Sequence, residues 1–402
     1  MTTRSWWLGV CACCWVTLGA QQPASTQRHP ATSTTTQQQA PAVDYLVFVA
    51  SEGNDRISLV RFGPAGARVE RVSKIGRNPT EPVGPHGIGL SPDKRYYYVS
   101  TAHGFPNGEL WKYSAAGDSL KGTVTLGRFP ATLQVSPDGL YAYVVNFNLY
   151  GEMVPSSVSV VYVDDMAEVA RITTCIMPHG SRLNPQGTKH YSACMMDDAL
   201  VEIDARTMAV SRHFMLKKGN EHGESGALAG AGHGGAGGDH AGHGMEPPKP
   251  GDVSCSPTWA QPSADGSKIY VACNKSSDIA EIDAASWTMT RRFPMGPGVY
   301  NLATTHDGKL LVGTNKRGQS VSIVDLATGK EVAVLPTKRK VASGVVISPD
   351  DRYAFVTVEG IGSEPGTVEI IDLRALRTVA SVDVGQQAGG IDFWKTEAAT
   401  SH

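Results

Sequence analysis

Residues 217–251 gather the side chains most able to do chemistry. From Gly219 the stretch reads GNEHGESGALAGAGHGGAGGDHAGHGMEPPKPG. It carries imidazoles at His222, His233, His240 and His243, with Asp239 and Met245 beside the last two. Imidazole suits copper, zinc or nickel, and a thioether adds a preference for Cu(I). The cofactor these residues allow is copper or another transition metal, with no cofactor as the alternative. No structural-zinc spacing is present. Ordering a Gly-rich segment costs about 1–2 kcal/mol per residue, so a tight site needs a rigid partner. His86 in GPHGIG and His179 in MPHGSR are the candidates. The competing reading is a mobile insertion, with His86 and His179 as ordinary Pro-x-Gly turn residues facing channel water.

Other chemistries find less support. No Gly-x-Ser-x-Gly elbow, Cys-x-x-Cys-His haem attachment or dinucleotide fingerprint occurs. Asp197, Asp198 and Glu359 are acids without a recognisable partner set. A formal charge of -2 gives no case for nucleic acid.

The elements that must position these residues repeat along the chain. Tight turns recur as SPDK ending at Lys94, SPDG at Gly139, NPQG at Gly187, SADG at Gly266, THDG at Gly308 and SPDD at Asp351. Their spacings are 45, 48, 79, 42 and 43 residues. The one long interval exceeds the rest by about the length of the His-rich stretch, which is therefore an insertion into a regular array. After each turn comes a β-branched or aromatic run, then a second run ending in an acid, as in VSIVD and VEIID. A period near 45 with several short strands per unit predicts propeller blades.

The YVVN, YVAC and VGTN runs resemble the signature of the YVTN-type seven-bladed β-propellers, over roughly residues 43–395. The resemblance implies an all-β ring of four-stranded blades. Six turns account for six blades. The seventh is expected from GGIDFW near the C-terminus paired with DYLVFVASEGNDRISLV near the N-terminus. The domain is placed at 43–396, after a signal peptide at 1–20 and a Gln/Thr/Pro-rich linker at 21–42. Export to the periplasm or beyond follows, with no transmembrane segment after signal removal. Copper propellers of the nitrous oxide reductase type carry histidines at the start of strand a, and lactonases share the architecture. This chain departs from the copper pattern, because the equivalent starts read FPAT, GVYN, VASG and QAGG.

With strands a to d running outward from the axis, the starts of strands a and the ends of strands b share one face. That face is expected to collect His86, His179, His103, Trp259, Asn146 and Asn315, with the insertion hanging over it. Cys175 and Cys194, and likewise Cys255 and Cys273, flank one a–b hairpin each. In an exported protein the expectation is two disulfides. Thiolate copper ligation with Met177, Met195 and Met196, or a cross-blade bond from Cys194 to Cys273, are the alternatives. The functional expectation is an exported binding or scaffolding protein for a protein or small-molecule ligand on this face. The alternative is a metal-dependent oxidoreductase or a lactonase-like hydrolase.

Overall fold

The computed structural model describes residues 40–78, 80–104, 106–228 and 254–399. The expected signal peptide, most of the linker, and His233, His240, His243 and Met245 lie outside the described residues. Seven antiparallel sheets form a ring of blades. Blades 1 to 6 span 85–125, 130–176, 178–225, 257–294, 299–336 and 341–383. Blade 7 joins the two ends: Ala388–Ala398 supplies strand a and Val43–Ser51, Arg56–Gly63 and Gly66–Lys74 supply b, c and d. Val43 pairs with Ala398 and Val49 with Ile391, closing the ring without a free inner edge.

Burial grades outward. Strands b such as Tyr141–Asn146 and Lys268–Cys273 are buried on both faces, because neighbouring blades cover them. That explains their continuous apolar runs. Outermost strands such as Lys330–Pro336 alternate between exposed and half-buried. The acids ending strands c are turn formers: Asp204 Oδ1 accepts from the amides of Arg206 and Thr207, and Asp283 Oδ1 from Ala285 and Ser286. Among the described residues no helix is long and apolar enough to cross a membrane.

Two details depart from a uniform four-stranded ring. Blade 3 has a fifth strand, His222–Ser225, added outside Ala209–Met215. It pairs His222 with Met215. The start of the insertion thus runs along the outer rim, and His222 lies four strands outward from the strand that bears His179. Its ring is tied to the Asn220 carbonyl at 2.9 Å and to Glu224 at 3.0 Å. The expected approach to His179 does not occur at this residue, because β-pairing with the blade edge satisfies the backbone of 222–225 first.

The second detail sets the channel. Strands a carry a register shift near their start, between Pro85 and Ile88 in blade 1 and between Pro178 and Ser181 in blade 3. Gly87 and Gly180 sit within it. A Cβ on either would lie 2.2 Å from the carbonyl oxygen of the next strand a, Ala131 or Thr258. Having no Cβ, glycine lets the adjacent inner strands pack closely there.

Candidate functional site

The register shift sets one position near the start of each strand a, and in five of the seven blades the residue there lines the mouth. Aligned on this position are His86, Ala131, His179, Thr258, Tyr300, Ser343 and Gly389. His86, His179 and Tyr300 line a cavity of about 290 Å³ in the mouth of the channel, together with Arg182, Trp259 and Lys316.

On one side of the mouth, Glu52 bridges two histidines. Its carboxylate lies 2.6 Å from His86 Nδ1 and 2.8 Å from His103 Nε2. Burial works against the Glu52 charge, but the two imidazoles outweigh it and hold the carboxyl well below the usual range. The hydrogen bond to Glu52 raises the pKa of His103 above its ordinary value. Bonding at Nδ1 leaves His86 Nε2 without a protein partner among the described residues. A carboxylate behind an imidazole is the arrangement that orients a histidine for proton transfer or ligation.

Opposite, the ring of His179 lies 6.5 Å from that of His86, nearly perpendicular. Its Nδ1 is 2.9 Å from the Thr258 carbonyl, which can only accept, so Nδ1 carries the proton. Nε2 therefore accepts from the Tyr300 hydroxyl at 2.8 Å. Burial pushes the His179 pKa down to about 3, so the ring is neutral. Lys316 Nζ stands 3.7 Å from the Tyr300 ring centre and 3.6 Å from Glu359. Burial opposes its charge, and Tyr300 and Glu359 outweigh that opposition. Phe129, Phe147, Leu149 and Tyr150 form an apolar wall, with Tyr150 two-thirds exposed and packed edge-on against Phe129.

The face drawn from sequence is partly assembled. His86, His179 and Trp259 line the mouth, while His103 supports it through Glu52. Trp259 stands one place further along strand a than His179; Thr258 is the aligned residue. Asn146 and Asn315 are not ligand-facing. Both are fully buried, and each donates to two serines of the adjacent strand c: Ser157 and Ser159, or Ser320 and Ser322. They occupy the strand-b position that Cys194 and Cys273 fill in blades 3 and 4, where the side chain ties strands together. Those cysteines form two disulfides: Cys175–Cys194 ties the outermost strand of blade 2 to strand b of blade 3, and Cys255–Cys273 ties the segment before blade 4 to its strand b, which excludes thiolate ligation and a Cys194–Cys273 bond. Two disulfides are consistent with an exported protein.

Sequence reasoning missed Glu52, Arg182, Tyr300 and Lys316. For Tyr300 a signal existed, since VYN aligns on PHG two blades earlier. Among the described residues no group of three potential ligands stands ready for a metal ion.

The cytochrome D1 heme domain family matches residues 305–397. No curated protein matches the chain. Among solved structures, hydrazine synthase of Kuenenia stuttgartiensis is similar at 21% identity and a TM-score of 0.58, covering 77% of this chain and 89% of that one. The periplasmic gluconolactonase of Pseudomonas aeruginosa is similar at 18% identity and a TM-score of 0.64, covering 88% and 99%. At these identities the likeness is one of fold: a seven-bladed β-propeller. A haem does not fit the mouth. The matched segment includes neither His86 nor His179, and its one histidine, His306, pairs with Asp351 at an a–b turn on the other face. Both nitrogens of His179 are engaged, and about 290 Å³ is at the lower limit for even a drug-sized ligand.

Proposed function

We propose that this protein is an exported β-propeller that binds a small molecule in the mouth of its channel. The observation that carries the reading is the pair of oriented imidazoles facing one cavity. His86 presents a free Nε2 backed by Glu52, while His179 is locked neutral and holds the Tyr300 hydroxyl. Converging polar groups on a partly apolar concave wall are the usual form of a small-ligand site. The test is a thermal-shift screen of small polar metabolites on the full chain, repeated on a His86→Ala, Tyr300→Phe double variant. Compounds that stabilise the wild type and not the variant support the reading. A screen without hits, or with hits indifferent to the variant, rejects it.

A second reading is catalytic, and the Glu52–His86 pair favours it. His86 Nε2 could take a proton from water for attack on an ester or lactone, with Lys316 and Tyr300 across the cavity. The fold likeness to a gluconolactonase is compatible with this without assigning it. Release of acid from δ-gluconolactone above the spontaneous rate, abolished by His86→Ala, is its signature.

Copper on the His-rich stretch is a separate proposal. Stoichiometric copper in untagged protein, lost in His240→Ala with His243→Ala, would support it. Metal retained in that variant would place the ion elsewhere.

A further inference from the structure

We infer that the floor of the mouth is a seat for one anionic group, and that the ligand is a small carboxylate with an apolar body, held by Arg182 and Trp259. This rests on the mouth being a ligand site and names the chemistry of what it takes.

Arg182 belongs to strand a of blade 3, Pro178–Leu183. With Val345 it is shared by the mouth cavity and the cavity at the other end of the channel, so it stands between the two. A guanidinium offers five N–H donors. Among the described residues Arg182 makes one side-chain hydrogen bond, from Nη1 to the Ser181 carbonyl at 2.9 Å, and no carboxylate lies within ion-pair distance. Two buried acids of strands c show the usual matching. Glu202 meets Lys189 and Arg212, and Glu281 meets Lys268 and Arg291. Asp392, the acid closest in influence, spends one oxygen on the Leu90 amide and the other on the Phe393 amide.

Trp259 provides the second, independent observation. Its ring covers the guanidinium at 4.4 Å, leaving the edge donors of Arg182 for a planar acceptor. Trp259 is only 4% exposed, and its indole N–H is buried with no acceptor. Buried donors normally have partners, so an orphan beside an unpaired cation marks a place where an acceptor belongs. A carboxylate supplies one, with two oxygens that match the guanidinium fork. Mouth charge agrees: Glu52 is bound by His86 and His103, and Glu359 by Lys316, which leaves Arg182 as the charge without a counterpart. The wall of Phe129, Phe147 and Tyr150 above the floor suits an apolar body rather than a sugar or phosphate.

Benzoate and its neutral twin benzamide test the seat. The indole ¹H–¹⁵N signal of Trp259 in the full chain, assigned with Trp259→Phe, is followed in each titration. The expected result is a saturable shift with benzoate and none with benzamide. Arg182→Gln should weaken benzoate by about tenfold or more, the loss of about 1.4 kcal/mol, and Arg182→Lys should weaken it less. Equal response to the two compounds, no saturable benzoate shift, or an Arg182→Gln variant that titrates like wild type each overturns the proposal. Should Arg182→Gln fail to fold, the wild-type comparison with Arg182→Lys decides. A benzoate response at the His86 ring without one at Trp259 rejects the seat but keeps the mouth as a binding site. Silence at both residues, combined with an empty metabolite screen, rejects both.

Discussion

Tyr300 donates its hydroxyl to His179 Nε2 at 2.8 Å although the two residues are 121 positions apart. They occupy the same place in strands a of blades 3 and 5, and Thr258 of blade 4 holds the other side of the imidazole. Three consecutive blades thereby fix one neutral ring and its tautomer. Removing the hydroxyl with Tyr300→Phe leaves a buried acceptor unpaired. A loss of about 1–3 kcal/mol in urea unfolding is expected, with the fold retained. Unchanged stability would show that the bond contributes nothing net.

Stability should fall with acid below about pH 6.5 because of two buried histidines. Burial lowers both His179 and His190 from 6.5 to about 3, and His190 has neither ring nitrogen bonded. The folded pKa values lie below the unfolded ones, so the unfolded chain binds more protons as pH drops from 6.5 toward 3. Each group then removes up to about 1.4 kcal/mol per pH unit. His190→Phe, which keeps a ring to stack on Tyr143, should reduce that slope. Chemical denaturation across this range measures it, and a slope identical to wild type would refute the assignment to His190.

Glu52→Gln should lower the pKa of His103, whose raised value comes first from its bond to that carboxylate. In the wild type this bond stabilises the fold at low pH and is lost as pH rises through the folded-state pKa of His103. Proton NMR titration of the His103 ring reads the shift directly. A cost of about 1–2 kcal/mol in stability should accompany it, since hydrogen bonds to a charged group are lost.

Each disulfide closes a short loop, with separations of 19 and 18 residues. Replacing either pair by alanine should cost about 3 kcal/mol on the loop-entropy account. Peptide mapping without reductant should recover Cys175 with Cys194 and Cys255 with Cys273. Four free thiols in the native protein would contradict the pairing.

Gly180→Ala places a methyl group 2.2 Å from the Thr258 carbonyl oxygen, the same oxygen that accepts from His179. A destabilisation of about 1–3 kcal/mol is expected from overpacking. The His179 ring signals should move with it; Gly266→Ala, remote from the channel, should leave them in place.

What could be read from sequence was whatever repeats at short range. Turn chemistry at Lys94, Gly139 and Gly266 counted the blades, and the apolar runs after each turn identified strands b. Matching ends then required the closure seen between Val43–Ser51 and Ala388–Ala398. Cysteines 19 and 18 residues apart across one hairpin leave little freedom in pairing. The mouth was legible only in part. His86 and His179 stood out by residue type, whereas Tyr300 held the equivalent position without attracting notice. Asn146 and Asn315 pointed the other way: right in face, wrong in burial, because a strand-b end is covered by strand c and the next blade.

Sequence alone determined the ring, its closure and its crosslinks, since each follows from local periods of about 45 residues and from cysteines that flank one a–b hairpin. Tertiary structure decided the site. A register shift of one residue near the start of strand a aligns Thr258 with His179, while Trp259, the next residue, lines the mouth and stacks on Arg182. Glu52 reaches His86 and His103 only because the ring closes through blade 7. Which charges end up paired is a property of distances between blades, and no spacing along the chain encodes it.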